Sequence, residues 1–154
     1  MSVTSFDPDL LERVSARQRD GANPGVSAWV SASAGAGKTR VLRDRVLRLL
    51  LAGVAPQRVL CLTFTKAAAA EMARRINAEL GDWAVLDDVG LHGRLEDLLG
   101  EAPPEDASRR ARQLFARVLE APGGMKIMTI HAFCQSVLRR FPLEAGVVPH
   151  FQVM

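Results

Sequence analysis

Lys38 and Thr39, at the end of a run of small residues, are the side chains of this sequence whose types and spacing best suit chemistry. Residues 28–40 read AWVSASAGAGKTR, an apolar stretch that empties into a glycine-rich turn. Small residues at Ala32, Ser33, Ala34, Gly35, Ala36 and Gly37 let successive backbone N–H groups curl around phosphate oxygens with little interference from Cβ atoms. Lys38 supplies a point charge for the β- and γ-phosphates of a nucleotide, and Thr39 a hydroxyl for Mg²⁺. Arg40 opens RVLRDRVLRLLLAG, a helical pattern whose N-terminal dipole lies beneath the phosphates. Ala32 stands where the usual pattern has its first glycine, a place alanine tolerates only at negative φ. These residues point to a nucleoside triphosphate with Mg²⁺, and the competing explanation is a fortuitous glycine-rich loop.

Such a loop needs a strand before it and a helix after it. A strand is expected at 27–31 and a helix over about 39–51 that stops at Gly53. A second, doubly buried parallel strand is expected at 59–64, completing a βαβ unit. Asp7-Pro8 opens a helix over 7–20, before a turn through Gly21, Asn23, Pro24 and Gly25. KAAAAEMARRINAEL, residues 66–80, has strong helix propensity, with Gly81 placed to end it. Residues 82–124 break the rhythm with an acidic stretch, a Pro103-Pro104 linker and an arginine-rich helix near 106–120. A third strand at 125–130 and a helix at about 132–141 follow. The fold class expected is α/β, a parallel sheet of the RecA-like P-loop type with helices on both faces. Residues 1–81 would form the first part of an ATP-binding domain, 82–124 a helical insertion, and 125–154 a return to that domain.

Composition narrows the setting. With 154 residues, 48% of them hydrophobic, and a formal charge of +3, the chain has the makings of a globular domain with a core, and its charge leans only slightly toward polyanions. No secretory signal is visible and LRLLLAGV is too short to span a bilayer, so the cytoplasm is the expected compartment. Cys61 and Cys134 lack any metal-site spacing and are expected to be reduced and buried.

In a parallel sheet, ligands gather at the carboxyl ends of the strands. Three motifs fall there: the glycine-rich loop, TFTKAAAAEM (63–72) and TIHAFC (129–134). From spacing alone, the second and third are equally well explained as ordinary strand-to-helix turns.

Taken in order, Gln18, ASAGAGKTR (32–40), TFTKAAAAEM and TIHAFC resemble the opening motifs of UvrD-like superfamily-one DNA helicases. LFARVLEAPGGMKIMTIHAFCQS and LRRFPLEAGVVPHF most closely resemble the AddA group, subunits of double-strand-break repair helicase–nucleases related to RecB. The resemblance covers most of the chain, and relatives of this kind also accept alanine at the position of Ala32. It implies that Gln18 reads the adenine edge, for which an amide suits by donating and accepting together. It also implies that Arg40 lies beside the nucleotide. Thr63 and Thr65 would touch the sugar-phosphate backbone of a DNA strand, Phe64 would pack on a base, and Thr129 and His131 would form the next DNA contact. Read on their residues alone, Gln18 is an exposed helix position, Phe64 a core residue, and His131 a hydrogen-bonded structural histidine. Arginines 109, 110, 112 and 117 and Lys126 read as a solvated face.

The resemblance further implies an ATP-dependent 3′-to-5′ helicase acting in recombination and repair, partnered by an AddB-like protein on single- or double-stranded DNA. The Mg²⁺-binding acidic residue, a group to position water and an arginine for transition-state charge are also required for hydrolysis. Asp87-Asp88 lies in the helical insertion and does not serve as that acidic pair. The chain is therefore expected to be an N-terminal fragment, catalytically incomplete and poorly soluble through an unpaired sheet edge. The competing function is a non-catalytic, nucleotide-dependent binding module; a small-molecule kinase leaves the two later motifs without a role.

Overall fold

The computed structural model describes residues 8–31, 33, 35 and 37–146. Among them, six helices and two strands follow in the order α1 (Pro8–Gly21), α2 (Lys38–Leu51), β1 (Leu60–Thr63), α3 (Lys66–Val85), α4 (Asp88–Leu99), α5 (Ala107–Glu120), β2 (Lys126–Thr129) and α6 (Ile130–Arg140), with a 3₁₀ turn at Pro56–Arg58.

The core is helical. Val46, Leu47 and Leu50 of α2 meet Ile76, Leu80 and Trp83 of α3, Leu91 and Leu95 of α4, and Ala111, Leu114 and Val118 of α5. These residues recur at intervals of three and four, so each helix turns one apolar stripe inward. Trp83, 1% exposed, keeps its polar edge satisfied by donating from Nε1 to Glu79 Oε1 at 3.1 Å. Glu79 also holds Arg43 of α2 at 3.4 Å and Arg94 of α4 at 3.7 Å. The helices of 82–124 thus share one core with α2 and α3.

Polar groups close the helix ends. Asp87 Oδ1 accepts from Gly90 N–H ahead of α4, so Asp87 is a helix cap within the helical stretch. Arg112 donates to Leu86 O at 2.7 Å and pairs with Asp88, which ties α5 to the bend between α3 and α4. Arg48 donates to Leu98 O and Leu99 O of α4 and to Arg19 O of α1. Its burial lowers its pKa from the ordinary arginine value, an effect the nearby Asp44 carboxylate opposes.

The two strands pair in parallel with Leu60 opposite Lys126, Cys61 opposite Ile127, Leu62 opposite Met128, and Thr63 opposite Thr129. Cys61 and Ile127 pack on the helical core, whereas Leu60 and Leu62 remain 43% and 44% exposed. The expectation of a doubly buried strand is therefore corrected: α3 covers one side, and alternation along the strand turns Leu60 and Leu62 away from that core.

Three other expectations are corrected. Residues 27–31 form no strand; a strand exists by pairing, neither described strand pairs with this stretch, and Trp29 is 95% exposed. The first βαβ unit is accordingly absent among the described residues, and the parallel pair is instead built by β1 and β2 across α3, α4 and α5. Gly81 does not end α3, which continues to Val85, because burial of Trp83 one half-turn later outweighs the roughly 1 kcal/mol that glycine costs a helix interior. The cysteines are free as expected but not buried: Cys61 is half-buried, its thiol pKa raised by desolvation, and Cys134 is exposed on α6.

Candidate nucleotide and nucleic-acid site

The phosphate-type loop is built around glycine. Gly35 and Gly37 take φ of 81° and 86°, the left-handed region that disfavours side chains. Ala32, Ala34 and Ala36 lie outside the described residues. Gly37 precedes α2 and brings no side chain to cap its first-turn amides, and the first turn holds no acidic residue. Those amides and the helix dipole are what an anion needs at this end. Lys38 Nζ donates to Ser33 O at 2.7 Å, so its ammonium lies across the loop. These residues fit a phosphate group: backbone donors, a left-handed turn and a cation gather at one helix N-terminus.

Gln18 is brought to the same place. A Cβ at Gly37 would stand 2.7 Å from Gln18 Nε2, so the amide of α1 lies directly against the loop's last glycine. Gln18 is partly covered rather than a fully exposed helix residue. Arg40 is exposed and pairs with Asp44 at 3.5 Å, one turn along α2.

The other two motifs meet at the end of the sheet. The register sets Thr63 beside Thr129, so TFTKAAAAEM and TIHAFC leave the sheet side by side. Thr65 Oγ1 accepts from Ala68 N–H at 3.1 Å, and Thr129 Oγ1 from Ala132 N–H at 3.2 Å, each capping the helix it precedes. A capping threonine still has its hydroxyl proton to donate. Phe64, immediately before the Thr65 cap, is 83% exposed, which sets aside its reading as a core residue. His131 is exposed in the first turn of α6. A cavity of about 510 Å³ lies between α2 and β1, and Thr39, Leu42, Leu62, Thr63 and Met72 are among the residues that line it. The helix that carries the loop and the strand that carries the second motif therefore share one cleft.

The chain matches the UvrD/REP helicase N-terminal domain over residues 14–154. It belongs to that family. Relatives of this helicase domain include three bacterial ATP-dependent helicase/nuclease subunits of the AddA type. Those of Lactobacillus gasseri and Enterococcus faecalis are 35% identical over 130 and 125 residues, or 84% and 81% of this chain. That of Moorella thermoacetica is 35% identical over 152 residues, 97% of this chain. The UvrD/REP domain here spans 8–9% of the length of these relatives.

Other charged groups of this helicase domain are engaged elsewhere. Arg110 pairs with Asp106 and Arg117 donates to Gln113. Glu71 of α3 accepts from Arg74 and Arg75, and these hydrogen bonds hold its carboxyl at about 2, below the usual range. No group of three or more His, Cys, Asp and Glu side chains among the described residues is disposed to hold a metal. No helix among the described residues is long and apolar enough to cross a membrane.

Sequence reading passed over Arg45. Its guanidinium donates to Asn23 O and Val26 O at 2.5 and 2.6 Å. In a helix with arginines at 40, 43, 45 and 48, the single signal for it was its spacing of two turns from Lys38.

Proposed function

We propose that this chain supplies the ATP-binding portion and part of the DNA track of a RecA-like motor in an ATP-dependent helicase–nuclease of the AddA kind. The observation that carries the reading is the meeting of Gln18 of α1 with Gly37, next to Lys38, which brings an adenine-type amide, a left-handed glycine and a cation to one helix N-terminus. Ala32 to Gly37 would wrap the phosphates, Lys38 would relinquish Ser33 O for the β- and γ-phosphates, Thr39 would hold Mg²⁺, and Arg40 would flank the nucleotide. Lys38 and Thr39 are the residues expected to touch the reacting phosphate and its metal.

On the adjoining face, Phe64 offers an exposed ring to a base while Thr63, Thr65, Thr129 and His131 offer hydrogen bonds to the backbone of single-stranded DNA. Stacking of this kind tolerates any sequence, as translocation requires. The shared cleft gives nucleotide and DNA elements a mechanical connection through α2 and β1. In the whole protein we expect 3′-to-5′ unwinding in double-strand-break repair, a partner protein of the AddB kind, and a cytoplasmic setting. Segments 1–81 and 125–154 would belong to the motor, with 82–124 as the insertion that completes its core.

The test is equilibrium binding of Mg·ATP to the 154-residue chain, followed by phosphate release with and without single-stranded DNA. Binding that Lys38→Ala reduces at least tenfold, without DNA-stimulated release, is the expected result, because the acidic and arginine groups for hydrolysis are not among the proposed residues. DNA-stimulated turnover abolished by Lys38→Ala would show that the site is complete, and equal binding by both proteins would remove the nucleotide reading.

A further inference from the structure

The turn between α1 and the loop is arranged so that its amides are satisfied internally while its carbonyls converge. Ala22 N–H donates to Gln18 O, Asn23 N–H to Asp20 O, and Gly25 N–H to Asn23 Oδ1. Asn23 O and Val26 O accept from Arg45 at 2.5 and 2.6 Å, with Gly21 O at a longer 3.5 Å. One planar fork thus spans the exit of α1 and the start of the extended stretch that leads into the loop, a geometry a lysine ammonium does not reproduce. Arg45 stands seven residues after Lys38, on the same face of α2 and about 10 Å along its axis.

The surrounding contacts make this clasp part of a closed circuit. A Cβ at Gly21 would lie 3.2 Å from Val41 of α2 and 3.3 Å from Val30, so helix, turn and extended stretch are in close contact there. One turn earlier, Gln18 reaches Gly37 at the other end of the circuit. The path from Gln18 through the turn to Gly37 is pinned at its ends by the amide and in its middle by the guanidinium. Fixing the middle sets where Gln18 stands relative to Lys38.

We propose that Arg45 is a positioning residue of the nucleotide site, holding the 21–26 turn so that Gln18 and the phosphate-type loop keep the spacing one nucleotide spans. The inference rests on the nucleotide reading given above. Its anchoring half is independent of that reading, because it concerns order in the turn before any ligand binds.

Arg45→Met keeps the apolar stem and removes the fork; Arg45→Lys keeps the charge. In the full 154-residue chain, backbone hydrogen exchange should quicken by about tenfold or more at residues 22–31 in Arg45→Met, with α3, α4 and α5 unchanged. The dissociation constant for Mg·ATP should rise by about tenfold, and Arg45→Lys should fall between. Unchanged exchange at 22–31, or an equal rise throughout the molecule, would overturn the proposal, as would an Arg45→Met chain that no longer folds cooperatively. Failure of the unmodified chain to bind Mg·ATP would instead overturn the nucleotide reading, and is distinguishable because Arg45 is then in place.

Discussion

The helical core and the ligand-facing side of this domain differ in what holds their residues in place. Trp83, Leu91, Leu95 and Ala111 are enclosed by α2, α3, α4 and α5, and their positions follow from burial. Trp29, Phe64, Leu60 and Leu62 lie exposed around the loop and the sheet, where position follows from caps, register and single hydrogen bonds. Stability is concentrated in the first region and the candidate chemistry in the second, so mutations in the two should separate cleanly.

The strongest way to break that contrast is through the core. Trp83→Ala should destabilise the fold by about 3–5 kcal/mol, the usual cost of an aromatic-sized cavity, read by denaturant unfolding. Phe64→Ala is the converse: with its ring in water, the unfolding midpoint should stay put while affinity for single-stranded DNA falls by about 1–3 kcal/mol, measured by fluorescence anisotropy. Loss of stability comparable to Trp83→Ala would place Phe64 in the core after all.

The smallest effect concerns pH. The Glu71 carboxyl, held at about 2 by Arg74 and Arg75, has an ordinary value of 4.5, so the unfolded chain takes up its proton first as pH falls. Its contribution is complete above about 4.5 and is lost progressively toward 2. Because the cluster is exposed, salt should weaken it, and Glu71→Gln should lower stability slightly at neutral pH, a difference that fades as pH falls toward 2.

The same contrast explains what was legible in the sequence. Helices α2, α3 and α5 announce themselves through apolar periodicity, and the turn glycines through the left-handed backbone that they adopt at 35 and 37. Residues 27–31 misled because an apolar run specifies only an inclination to pair, and pairing depends on a neighbour that no local pattern names. Gly81 misled for a related reason: its local preference to end a helix is overruled by tertiary burial of Trp83. The meeting of Gln18 with Gly37 and of Thr63 with Thr129 follows from packing and register, which motif order suggests without dictating. Arg45 left only its spacing from Lys38 as a signal, since its partners are main-chain carbonyls and leave no trace in residue identity.

The parallel register between β1 and β2 has a consequence for how the chain reaches its native state. Leu60 and Lys126 become neighbours only after everything between them has been gathered in, and closing so long a loop is entropically costly. Docking of α3 against α5 shortens that search by bringing the two strands close to one another. Pairing should therefore be a late event in refolding, with helical signal recovering before protection of the strand amides. The surface that aligns Thr63 with Thr129 would then be among the last parts of the molecule to acquire its shape.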